Sequence, residues 1–145
     1  MSDRITKLAE YGFGLRDAVE LASSDVWSIQ RSWRERFSKQ IFLQTGKWTY
    51  GGTDWHTFTH GFCEHLAGRR ALAELQARLP AKVYLHSGDS HPRQWGVAAT
   101  LESYAHPVAT WSDDVFVSDV SFGWTFVMTH HDEGPFYSDL ILSRE

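Results

Sequence analysis

Residues 113–137, DDVFVSDVSFGWTFVMTHHDEGPFY, constrain the fold more than any other part of the chain. Val115, Val117 and Val120 are strand formers, and Ser121–Gly123 supplies a turn. Trp124, Phe126 and Met128 then alternate with Thr125, Val127 and Thr129, the period of a strand. The stretch reads as a central hairpin at about 114–131. Asp132–Pro135 makes the next turn, and Phe136–Leu142 can form a last strand.

The segments before it are helical. Val26, Ile29, Trp33 and Phe37 fall on one helical face, with Ser24 or Asp25 as candidate N-caps and Arg31, Arg34 and Glu35 elsewhere. Leu72, Leu75 and Leu79 mark a second helix that Pro80 stops. Residues 3–22 begin as a helix that Gly12 and Gly14 interrupt; Leu15, Val19 and Leu21–Ala22 then start either a second short helix or an extended entry. Ile41–Leu43 reads as strand or helix end, and Asp54 as the cap of a short helix holding Trp55, Phe58 and Phe62. Lys82–Ser87 reads as a strand with Val83 and Leu85 on one face and Tyr84 and His86 on the other. Trp95–Tyr104 fits either a strand or a helix. Helices first and strands later predict an α+β domain, N-terminal helices on a mainly antiparallel sheet. With 145 residues, no linker and no repeat, 1–145 is expected to be one domain. The ring-bearing face of the Trp124 strand is expected to meet the Val26–Phe37 helix.

Composition bounds the setting. One cysteine, Cys63, excludes an intramolecular disulfide framework. No apolar run is long enough to span a bilayer, and the first residues lack a signal peptide's apolar core. A cytoplasmic protein is expected, with no membrane association. Charge is divided: residues 1–93 carry 13 Lys and Arg against 10 Asp and Glu, whereas residues 94–145 carry 1 against 8. The acidic part repels phosphate backbones, which argues against nucleic acid, and suits either solubility or a basic protein partner.

Several side-chain groups were weighed for chemistry. His56, His60, Cys63, Glu64 and His65 lie in one short segment, and His56 and His60 stand one helical turn apart, a metal-ligand spacing. His130 and His131 end the central strand on opposite faces; the inward one is either a general base with His56 or a structural partner of the turn. The metal alternative is therefore His56, His60 and His130. Cys63 lacks a thiol-enzyme signature. Residues 87–91, SGDSH, lack a nucleophile elbow, and Gly51-Gly52-Thr53 lacks the ending of a phosphate loop. No catalytic set and no cofactor are assigned. Trp48, Tyr50 and Trp111, in expected loops, are candidate anchors for a protein partner, beside Asp113, Asp114, Asp119, Asp132 and Glu133.

Residues 25–140 also carry a family pattern. It comprises the helix with Trp33 and Phe37, the Asp54-Trp55-His56-x-Phe58 segment, and Leu66-x-Gly68-x-x-Ala71. The pattern continues with Asp114-Val115-Phe116-Val117-x-Asp119, Phe122-x-Trp124-Thr125-Phe126-Val127-x-Thr129-His130 and Gly134-Pro135-Phe136-Tyr137. This resembles a bacterial family of small single domains of unknown function with a Trp-His-x-Phe segment and a C-terminal Trp-Thr-Tyr-Val-x-Thr-His-Glu…Gly-Pro run. His131 stands where that family carries Glu. The resemblance implies a small solitary domain of the kind that often serves as an immunity protein. The expected function is thus an inhibitor that occludes a cognate, basic toxin with an acidic, aromatic surface. The alternative is a metal-dependent or histidine-based enzyme.

Overall fold

The computed structural model describes residues 3–49, 54–88, 94–105, 114–129 and 135–139. In chain order the elements are α1 (Asp3–Glu10), β1 (Phe13–Glu20), α2 (Ser23–Phe37), α3 (Lys39–Thr45) and α4 (His56–Thr59). They continue with β2 (Leu66–Ala67), α5 (Arg69–Arg78), β3 (Ala81–His86), β4 (Gly96–Tyr104), β5 (Val115–Asp119), β6 (Thr125–Met128) and β7 (Phe136–Ser138). The strands form one seven-stranded sheet in the order β1-β4-β3-β5-β6-β7-β2, and every pairing is antiparallel. This is the α+β class expected from the sequence.

The central hairpin pairs Val115 with Met128, Phe116 with Val127 and Val117 with Phe126. Its turn is closed by the Phe122 N–H, which donates to the Asp119 carbonyl at 2.8 Å. The Asp119 carboxylate accepts from the Ser121 hydroxyl and the Gly123 N–H. Val120 sits in the turn instead of the strand and is exposed.

Strand parity sorts the core into two layers. Val83, Leu85, Val97, Leu101, Val115, Val117, Phe126 and Met128 point to one face, where Leu8 of α1 and Ala71 and Leu75 of α5 cover them. Phe116, Val127 and Phe136 point to the other, under Trp33 and Phe37 of α2 and Phe58 of α4. The helices therefore cover both faces. The expectation for the Trp124 strand is corrected here: its Trp124, Phe126 and Met128 face looks toward α1 and α5, and Val127 and the hydroxyl of Thr125 meet α2. Both faces of β6 are apolar enough to be buried, so parity alone could not choose between them.

Open alternatives resolve locally. Residues 13–20 take the extended reading as an edge strand; the chain turns out of α1 at Gly12 (φ 99°) and is bulged around Asp17 (φ 55°). Residues 96–104 are a strand, held on both sides by β1 and β3. Ile41–Leu43 is helical, and Gly46 ends that helix in the left-handed region (φ 75°). Neither Ser24 nor Asp25 caps α2. The helix begins at Ser23 with Ala22 in the cap position and no side-chain cap, while Asp25 sits in the first turn, where its charge complements the helix dipole. Where α2 crosses β4, Val26 lies on Gly96, and a Cβ there would come within 2.9 Å of Val26. This close approach brings the helix onto the sheet.

Candidate functional site

The same periodicity that buries Val26, Ile29, Trp33 and Phe37 turns Trp27, Arg31 and Glu35 outward. Trp27 is 60% exposed, although Trp33, Trp55, Trp95 and Trp124 are buried. The Arg31 guanidinium lies over the Trp27 ring, 5.4 Å from its centroid, and Arg31 Nε is 3.5 Å from the Glu35 carboxylate. Across from this stripe stands Trp48, stacked on Phe42 with centroids 4.4 Å apart. The Lys39 ammonium is 5.8 Å from the Trp48 ring. Trp27, Arg31 and Glu35 on one side and Trp48 on the other bound a groove of about 350 Å³, with Gln30 and Arg34 also lining it.

The polar side chains of this groove are anchored from below. Arg34 Nε donates to the Asp54 carboxylate at 2.8 Å. Asp54 is buried, which explains why it does not cap α4 as expected: its carboxylate is committed to Arg34, while its backbone carbonyl accepts from Thr57 N–H. Gln30 Nε2 donates to the Ser87 carbonyl at 3.0 Å, and the Ser87 hydroxyl in turn bridges to the backbone of Trp95.

Beneath α2 runs a second, fully buried polar chain. Trp33 Nε1 donates to Thr125 Oγ1 at 2.9 Å, and the Thr125 hydroxyl donates to the Val117 carbonyl at 3.0 Å. Ser118 Oγ lies 3.2 Å from Thr125 Oγ1 and 2.9 Å from His86 Nε2. Burial is the main reason that the His86 pKa falls to about 3, although its contact with the Ser87 carbonyl pulls the other way. His86 is therefore neutral at ordinary pH. It completes a core hydrogen-bond chain and is sealed from solvent.

The residues singled out from the sequence meet different fates. Trp48 stands in the groove. Asp114 accepts from Trp55 Nε1 at 3.0 Å, and Asp119 organises the hairpin turn, so both described acids have internal work. His56 and His60 do come together, with ring centroids 4.9 Å apart and His56 edge-on to Trp55. His65 is directed elsewhere, with Nδ1 3.0 Å from the Cys63 carbonyl and its ring against Phe58 and Phe136. Cys63 is buried beside Ser138, and desolvation pushes its thiol up to about 11. Among the described residues, no three His, Cys, Asp or Glu side chains group as a metal site would require. Tyr50, Trp111, Asp113, His130, His131, Asp132 and Glu133 lie outside the described residues, as do Gly51–Thr53 and most of the 87–91 segment.

Trp27 is the functional candidate missed in the sequence. Its signal was present: it lies off the apolar stripe of its own helix, one position after the buried Val26. No described helix is long and apolar enough to cross a membrane. Compared with known protein families, curated proteins and solved structures, the chain has no match.

Proposed function

We propose that this chain is a small cytoplasmic binding protein, an immunity-type inhibitor that neutralises a cognate bacterial toxin by occluding it with an acidic, aromatic surface. The observation that carries the aromatic part of the reading is the pair of indoles, Trp27 and Trp48, at an open groove; that groove is itself lined by Arg31 and Arg34, so the acidic part rests on residues 94–145 instead. Trp is among the residues most enriched at interface anchors, because its rigid ring presents a large area at modest cost in conformational entropy. Acidity supports a basic partner: residues 94–145 hold 8 acids against 1 base. Because Asp114 and Asp119 are spent on internal hydrogen bonds, the weight of the electrostatic contact shifts to Asp113, Asp132 and Glu133. The test is binding to any secreted toxin found encoded beside this chain; finding none there would count against the proposal. Affinity should fall with rising salt and by about tenfold or more in Asp132→Lys/Glu133→Lys, since reversing charges that attract a basic partner penalises encounter and register. Affinity indifferent to both would remove the acidic plug from the proposal.

A second reading, histidine-based or metal-dependent chemistry, has one observation in its favour, the contact of His56 with His60. Metal analysis of the purified protein tests it. Stoichiometric zinc, iron or manganese that is lost in His56→Ala would favour it, and metal-free protein would count against it.

A further inference from the structure

We propose that the groove between α2 and Trp48 is a ligand site for a small aromatic anion, a flat ring system bearing a carboxylate or a phosphate. The proposal does not depend on the toxin reading, and its test uses no protein partner. Three features of the groove select this chemistry.

The first is the walls. Trp27 and Trp48 supply two indole faces at an opening of about 350 Å³. That is the lower end of the range for small-molecule sites and suits one ring system with a short anionic arm. Leaving an indole 60% exposed forgoes burial that four other tryptophans achieve, and stacking with a ligand ring recovers it.

The second is sign. Among the described residues, three cations stand at or beside the groove, Arg31, Arg34 and Lys39, against two carboxylates, Glu35 and the buried Asp54 that pairs with Arg34. Two indoles beside a cation would be a familiar arrangement, but this excess of positive charge disfavours one. A neutral ring would use the indoles and make no use of the exposed Arg31 guanidinium.

The third is preparation. The Asp54 carboxylate holds Arg34 at Nε and so sets the plane of its guanidinium before any ligand arrives. Among the described residues, Arg31 is held by the Glu35 carboxylate and by Trp27, with its side chain and that of Glu35 both more than half exposed. Such exposed pairs contribute little, so an incoming anion can take Arg31 over from Glu35 without a large loss. The site thus has one fixed and one adjustable cation beside its two indoles.

The experiment is a titration followed by NMR of the indole N–H signals, with those of Trp27 and Trp48 assigned by Trp27→Phe and Trp48→Phe. AMP tests the phosphate form of the ligand, indole-3-acetate the carboxylate form, and adenosine and inorganic phosphate are the controls. The expected result is saturable movement of both signals with AMP, indole-3-acetate or both. Adenosine and inorganic phosphate should each bind at least about tenfold more weakly, and Arg31→Ala should weaken the preferred anion by about tenfold, the loss of one charge-assisted contact. Arg31 is exposed, so a circular dichroism spectrum that matches wild type separates lost binding from lost folding. No movement up to millimolar concentrations of both anions overturns the proposal. So does adenosine binding as tightly as AMP, or movement confined to other tryptophans.

Discussion

Two tryptophans six positions apart on α2 are placed so differently that truncating each should give opposite results. Trp33 is 1% exposed, packs against Phe37, Phe58 and Phe116 with ring centroids 5.0–6.1 Å away, and donates to Thr125. Trp33→Ala removes one of the two indoles of that layer and leaves a cavity, at about 3–5 kcal/mol. At roughly 3 °C per kcal/mol for a chain of this size, Tm should fall by about 9–15 °C. Trp27 is 60% exposed and touches little besides Arg31. Trp27→Ala should change stability by no more than about 1 kcal/mol, or about 3 °C. A third variant removes the Thr125 hydroxyl from the buried hydrogen-bond chain. Thr125→Val keeps the shape but removes the acceptor of the Trp33 N–H, which should cost about 1–3 kcal/mol. Thermal and urea unfolding of the four proteins, read by circular dichroism, gives the comparison. If Trp27→Ala destabilises as much as Trp33→Ala, the two faces of α2 are wrongly assigned and the groove is not a surface feature.

Stability should also depend on pH through His86. Its folded pKa is depressed to about 3, so the neutral form is favoured in the fold. The stabilisation is complete above the unfolded value near 6.5 and is lost as pH falls toward 3, by up to about 1.4 kcal/mol per pH unit. Unfolding measured between pH 7 and 4 should show a steeper decline in wild type than in His86→Asn; equal slopes would refute the buried neutral histidine. Cys63 should be inert in the folded state, since its thiol is buried and pushed up to about 11. Its reaction with a thiol reagent at pH 8 should be slow in buffer and rapid in denaturant; equal rates would place it at the surface.

Much of the fold was legible because its periods are unambiguous. The Val26–Phe37 stripe reads at 3.6 residues, and the Lys82–Ser87 and Val115–Met128 segments read at 2, and each forms the expected element. Where the sequence left a choice open or misled, a tertiary partner decided the outcome. Residues 13–20 have no clear alternation because the strand is bulged at two points, and it exists through its ladder to β4. Gly96–Tyr104 could pass for a helix until strands β1 and β3 bond it on both sides. The two-residue β2 is too short to leave a pattern and is set by β7. Asp54 looked like a cap because nothing local reveals Arg34, 20 residues earlier, as its partner. The groove was half legible: Trp48 was singled out for lying in an expected loop, whereas Trp27, although off the apolar stripe, was overlooked.

We propose that this chain binds a toxin through the Trp27 and Trp48 indoles and the acids of residues 94–145. The most direct measurement titrates any secreted toxin found encoded beside it with the wild-type protein and with Trp27→Ala/Trp48→Ala. The expected result is a one-to-one complex with sub-micromolar affinity that neutralises the toxin. In the double variant that affinity should weaken by about a hundredfold, the loss of two aromatic anchors at 1–2 kcal/mol each, with Tm little changed. No complex, or a complex equally tight without the two indoles, would contradict it.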